Sequence, residues 1–166
     1  MSSSALIRNA PPSPGSASNS RSEASVSHSS VSSALVHLAK DLDQLQLHPK
    51  FKGVRHQIEE ESDDVWMVRE DVLSGFAELE RRGIPFDLLV KPRHLQYVSV
   101  IRERCPRLRL VVDHIGKPRI AEGKFDEWAR ELERVSELPG VWCKLSGMNT
   151  EANCNTWTPD DLRPYV

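Results

Sequence analysis

Four residues combine reactive side chains with a regular spacing: Arg55, Lys91, His114 and Lys144. Each falls at or near the end of a short apolar run (51–56, 85–91, 108–114 and 141–146). Three cations and an imidazole gathered at one place would suit a small anionic or carbonyl-bearing substrate. Cations stabilise negative charge that builds on a carbonyl oxygen, and an imidazole near neutrality can serve as acid, base or metal ligand. Trp142, within the last run, offers an aromatic surface. The other common chemical signatures are missing. No GxGxxG or GxxxxGK[ST] phosphate loop occurs. The cysteines Cys105, Cys143 and Cys154 form no CxxC pair and no disulfide framework, a pattern that fits a reducing compartment.

The elements that must carry these residues alternate. Leu35, Leu38, Leu42 and Leu45 recur at three- and four-residue spacing and predict a helix that ends before His48-Pro49. Further helices are predicted at about 71–82, 93–104 and 124–137, the first stopped by Gly83 and the last by Pro139-Gly140. The apolar runs between them have strand length. They start roughly 25–35 residues apart, the size of a strand-helix unit. Strands separated by single helices imply a parallel sheet, so the chain reads as an α/β protein with about four parallel strands.

At a period of two, Phe86, Leu88 and Val90 share one face of their strand, and Asp87, Leu89 and Lys91 the other. The polar set fits the interior of a barrel better than an open sheet covered by helices on both sides. On this reading Arg55 points inward, as do Trp142 and Lys144, and Leu110, Val112 and His114 in the third run. Asp113 then faces the helices and has a structural role. The strand ends carrying Arg55, Lys91, His114 and Lys144 are where (β/α)8 barrels build their sites.

Residues 1–33 differ sharply. Serine occupies fourteen of these positions, with Pro11, Pro12 and Pro14, and large apolar side chains are scarce. The stretch reads as a disordered tail, and residues 34–166 as the folded domain. It has no apolar core of a secretory signal. A cytoplasmic location is the expectation, with a mitochondrial one as the alternative because Arg8 and Arg21 precede the first acid, Glu23. The formal net charge of −2 gives nucleic acid or an anionic membrane no basic footprint, and no apolar run is long enough to span a bilayer. The acidic run at Glu59-Glu60-Glu61 and Asp63-Asp64 reads as a solvated loop.

Taken in order, Gly53-Val54-Arg55-His56, Phe86-Asp87-Leu88-Leu89-Val90, Val112-Asp113-His114-Ile115-Gly116-Lys117-Pro118 and Cys143-Lys144-Leu145-Ser146-Gly147 resemble the amidohydrolase-related (amidohydrolase 2) family. Its members include sugar-lactone and 2-pyrone-4,6-dicarboxylate lactonases. The resemblance covers about residues 34–166 and is most specific at Asp113–Pro118. It implies a (β/α)8 barrel within the metal-dependent hydrolase superfamily, acting on a small lactone or carboxylate. It also implies a catalytic role for His114, which matches a histidine on a middle strand, and a substrate-holding role for Arg55. The family implies one divalent metal such as zinc in some members and none in others; where a metal is bound, His114 would be a ligand.

The chain departs from the family pattern in two places. The family's first-strand His-x-His pair is absent, the histidines being His28, His37, His48, His56, His94 and His114, and so is the Ser-Asp-Trp-Pro segment with its last-strand aspartate. A closed barrel takes about 250 residues, so the chain is expected to be a fragment lacking the first and last strands. Two alternatives accompany the lactonase expectation: a catalytically silent remnant that acts by binding or by pairing into a homodimer, and a decarboxylase of the same superfamily.

Overall fold

The computed structural model describes the backbone of residues 5–6 and 28–166, and side chains from Leu35 onward. Five parallel strands lie side by side in chain order: β1 (Ala5–Leu6), β2 (Val54–His56), β3 (Phe86–Leu88), β4 (Leu110–Val112) and β5 (Val141–Cys143). The helices are α1 (His28–Gln46), α2 (Glu70–Arg82), α3 (Pro92–Leu95), α4 (Val98–Arg104), α5 (Asp126–Ser136), α6 (Met148–Glu151) and α7 (Pro159–Leu162). Sequential parallel strands joined through helices make the wall of an incomplete barrel.

The four expected strands are present, and β1 adds a fifth from within the stretch read as a tail. Ala5 pairs with Val54 and Leu6 with Arg55. The free edge of β2 presents backbone donors and acceptors, and a short extended segment satisfies them whatever the polarity of its flanks. Helix α1 also begins inside that stretch, at His28. The remaining tail positions, 1–4 and 7–27, lie outside the described residues.

Register defines the two faces. Val54, Phe86, Leu110 and Val141 form one row, and Arg55, Asp87, Val111 and Trp142 the next. Val54, Phe86, Leu88, Leu110 and Val112 are buried beneath the helices. Leu110 and Val112 therefore face the helix layer, not the interior, which corrects the sequence reading of this strand. Val111 and Asp113 hold the inward phase.

Each strand is shorter than its apolar run, because the chain beyond it leaves the ladder for loop partners. Glu59 N–H donates to the Leu89 carbonyl, and Ile115 N–H to the Lys144 carbonyl. The helices form where the sequence places them, with one exception. Helix α2 carries Glu70 and Asp71 in its first turn and Arg81 and Arg82 in its last, matching the helix dipole, and ends on Gly83 in the left-handed conformation. Arg82 also reaches Asp43, Gln46 and the Ala39 carbonyl, fastening α1 to α2. The exception is the helix expected over 93–104, which divides into α3 and α4. Tyr97 N–H bonds the His94 carbonyl three residues back, tightening the chain between the two segments. No helix among the described residues is long and apolar enough to cross a membrane.

Arg102 shows how a buried charge holds the frame of the sheet. The residue is 7% exposed, and its guanidinium donates to the carbonyls of Cys105, Pro106, Leu108 and Gly140. It thereby joins the end of α4 to the entries of both β4 and β5. Burial lowers its pKa, yet a guanidinium stays charged. Arg102→Met keeps the stem but leaves the Pro106 and Leu108 carbonyls without this donor, while those of Cys105 and Gly140 keep the Leu108 and Leu110 N–H groups. An expected loss of about 3 kcal/mol, at 1–3 kcal/mol for each buried group left unpaired, would be read by urea denaturation.

Candidate active site

The C-terminal ends of β2–β5 bring Arg55, Asp87, Asp113 and Lys144 into one charge cluster. Lys144 Nζ lies 2.6 Å from Asp87 Oδ2 and 2.7 Å from Asp113 Oδ1. Arg55 Nε lies 3.3 Å from Asp113 Oδ2 and 3.9 Å from Asp87 Oδ2. The Asp113 side chain is 1% exposed, whereas that of Lys144 is 43% exposed. Burial would lower the Lys144 pKa, but its contacts with Asp113 and Asp87 outweigh that and raise it above the usual lysine range. Lys144 is therefore a fixed positive charge that solvent can reach. Two carboxylates balance two cations, so the cluster is neutral and can present one cation to an incoming anionic oxygen. Trp142 stands in the Arg55–Asp87–Val111 row and is about half exposed.

His114 follows Asp113 on an unusual backbone. His114 (φ 53°, ψ 43°), Ile115 (φ 49°, ψ 27°), Gly116 (φ 71°) and Lys117 (φ 49°, ψ 62°) form a run of left-handed residues. For non-glycine residues this conformation costs roughly 1–2 kcal/mol each, so the surrounding contacts must enforce it. The half-buried imidazole has Nδ1 2.9 Å from Ser146 Oγ. Gly147 follows, also left-handed at φ 67°, and a Cβ there would lie 2.6 Å from His114 Nδ1. Only glycine leaves room for the imidazole.

Arg55 and Lys144 thus meet, Trp142 shares their face, and His114 sits one residue from their buried carboxylate partner. Lys91 is not brought in: it lies beyond the end of β3 and its ammonium makes no ion pair among the described residues. The sequence reading overlooked Asp87 and Asp113 as site residues. Placing His114 inward by strand alternation pushed Asp113 to the wrong face; Asp113 holds the inward phase, and because the strand stops at Val112 it is the left-handed turn that directs His114. The acidic loop also does more than face solvent. Glu59 pairs with Lys117, Glu61 with His56, and Asp64 with Arg93.

Among the described residues no three His, Cys, Asp or Glu side chains converge as metal ligands. His114 is bonded to a serine, and Asp113 is held by two cations. These donors do not fit a zinc centre of three or four protein ligands.

A partial parallel barrel with ionisable groups at its strand ends defines the fold class, and comparison with known proteins gives the family. The amidohydrolase family model matches residues 37–166. The chain belongs to the amidohydrolase family. It is similar to an L-fucono-1,5-lactonase of Burkholderia ambifaria, with 38% identity over 128 residues, covering 76% of this chain and 43% of that protein. An L-fucono-1,5-lactonase of Burkholderia multivorans is 38% identical over 110 residues, covering 63% of this chain and 37% of that protein. A crystal structure of a Burkholderia multivorans amidohydrolase with bound HEPES superposes with a TM-score of 0.69 at 34% identity, covering 76% of this chain and 46% of that one. The same source supplies an amidohydrolase structure with bound zinc, at a TM-score of 0.68. The chain spans less than half the length of these relatives.

Proposed function

We propose that this chain carries the lactone-binding and proton-transferring part of a lactonase for small sugar-derived 1,5-lactones. The observation that supports it most is the Arg55–Asp87–Asp113–Lys144 cluster at the strand ends, with His114 next to Asp113 in the chain and its Nδ1 2.9 Å from Ser146 Oγ. Sequence similarity to two L-fucono-1,5-lactonases points to the substrate class.

Hydrolysis adds water across one bond. The water oxygen attacks the ring carbonyl carbon, and the carbonyl oxygen takes up negative charge. The bond from that carbon to the ring oxygen then breaks, leaving a hydroxy acid. His114 removes the proton from the attacking water and returns it to the departing ring oxygen, Ser146 fixing the orientation of the ring. Lys144, the exposed cation of the cluster, stabilises the oxyanion, and Asp113 and Asp87 hold it in place beforehand. Arg55 orients a sugar hydroxyl, and Trp142 supplies an apolar surface to the ring. Lys91, unengaged by any ion pair among the described residues, meets a more distant carboxylate or hydroxyl of the substrate.

The direct test is ring opening of L-fucono-1,5-lactone by the purified 166-residue chain, followed in weakly buffered solution by acid release. Turnover above the spontaneous rate is expected. A second reading, binding without chemistry, draws on the absence from this sequence of a His-x-His pair and of a Ser-Asp-Trp-Pro aspartate. It gains if the folded chain shows no turnover but binds the ring-opened hydroxy acid in calorimetry. Carbon dioxide release from unsaturated carboxylates, with no ring opening, would instead identify a decarboxylase.

A further inference from the structure

Continued as a strand, the chain beyond Val112 would carry His114 onto the face of Leu110 and Val112, both fully buried under helices. The left-handed turn prevents this and delivers the imidazole to Ser146. His114, Ile115 and Lys117 are the non-glycine residues with positive φ among the described residues. Such a concentration of unfavourable backbone beside a reactive side chain persists only where outside contacts enforce it.

Those contacts come from three directions. From α5, the Trp128 indole N–H donates to the Ile115 carbonyl at 2.6 Å. From the segment after β5, the Lys144 carbonyl accepts from Ile115 N–H at 3.1 Å. At the far end of the turn, Lys117 Nζ contacts Glu59, from the loop after β2, and Glu151 of α6 at 3.3 Å. The Glu59 and Lys117 side chains are 11% and 19% exposed, so this pairing is largely shielded from solvent. Burial would lower the Lys117 pKa, but the two carboxylates outweigh that and raise it, keeping the ammonium charged. Leu95 lies against Gly116, where a Cβ would come within 3.2 Å of its side chain.

We propose that Lys117, gripped between Glu59 and Glu151, and Trp128, through its bond to the Ile115 carbonyl, are positioning residues that hold the His114 imidazole toward Ser146 and away from the helix layer. The assignment of a positioning role for the reaction rests on the proposed use of His114 in lactone hydrolysis. The clamp fixes which ring nitrogen faces Ser146, and so which is left for the water. Neither Lys117 nor Trp128 needs to touch substrate. Lys117 acts through the backbone of its own turn, and Trp128 through a carbonyl one residue from the imidazole.

The test reads His114 without substrate. The full chain, with its histidines labelled with nitrogen-15, is compared at neutral pH with Ser146→Ala, which removes the Nδ1 partner and defines the released imidazole. In Lys117→Met and Trp128→Phe, the His114 nitrogen shifts are expected to move at least halfway to the Ser146→Ala values. Lys117→Arg, which keeps the charge, is expected to restore them. If Lys117→Met does not fold, Glu151→Gln removes one arm of the clamp and is expected to move the shifts in the same direction. A folded Lys117→Met or Glu151→Gln chain that melts lower but keeps the wild-type His114 shifts would overturn the proposal, because the clamp would then be structural only. Absence of lactone turnover would remove the catalytic reading while leaving this spectroscopic result to be judged separately.

Discussion

Replacing His114 with alanine is expected to lower lactone turnover by roughly 10²–10⁴-fold, the range for loss of a positioned acid–base group. The main effect should fall on the chemical step, because Arg55, Lys144 and Trp142, which hold the substrate in the proposed arrangement, remain in place. The variant should still fold. The imidazole is only half-buried, and its contact with Ser146 is a single hydrogen bond. Comparison of kcat and KM for wild type and variant, with thermal melting alongside, separates the two roles. Undiminished turnover in a folded variant would remove His114 from the mechanism and shift attention to the Asp113–Lys144 pair.

The second large effect concerns acid stability and a different histidine. His94 is fully buried at the start of the α3–α4 segment. Its Nδ1 accepts from Lys91 N–H at 3.2 Å, so the neutral ring carries its proton on Nε2. Nε2 has no hydrogen-bond partner among the described residues, and the Asp64 carboxylate stands 4.0 Å away. Burial first, and the nearby Arg93 second, lower its pKa to about 4 from an ordinary 6.5. In the unfolded chain the ring protonates near pH 6.5; in the folded chain it resists until about pH 4. Between those values the unfolded state binds more protons, so stability must fall as the pH falls. The full loss is about 3 kcal/mol, since each pH unit between the two protonation points contributes roughly 1.4 kcal/mol. Urea midpoints between pH 7 and pH 4 should show this decline. In His94→Leu the part of the slope due to this ring should vanish, although the variant starts from lower stability for want of an acceptor for Lys91 N–H. An unchanged slope in the variant would assign the acid sensitivity to other groups.

Much of the architecture was legible because it rests on local rules. Apolar residues at three- and four-residue spacing made α1, α2 and α5 visible, and short apolar runs placed β2 to β5 within a few residues. The acidic first turn and Gly83 stop of α2 are matters of helix dipole and backbone freedom, and both are written in the chain. The division of α3 from α4 was not, since it depends on the chain tightening where Tyr97 N–H bonds the His94 carbonyl three residues back. The pairing of Ala5-Leu6 with β2 depends on the unmet edge of another strand, which the surrounding serines do not reveal.

Residue types and spacing alone determined the α/β class, the alternation of strand and helix, the placing of Arg55, His114 and Lys144 at strand ends, and the resemblance that led to the family. Only the tertiary structure decided which residues meet. Alternation gives two faces to each strand, but pairing register decides which face joins that of its neighbour, and a one-residue error exchanges them. That is why Asp87 and Asp113, not read as site residues from the sequence, prove to be the anions between Arg55 and Lys144. It is also why His114 owes its place to Trp128, Glu59 and Glu151, contacts from distant elements that hold a turn its own residues would not adopt alone.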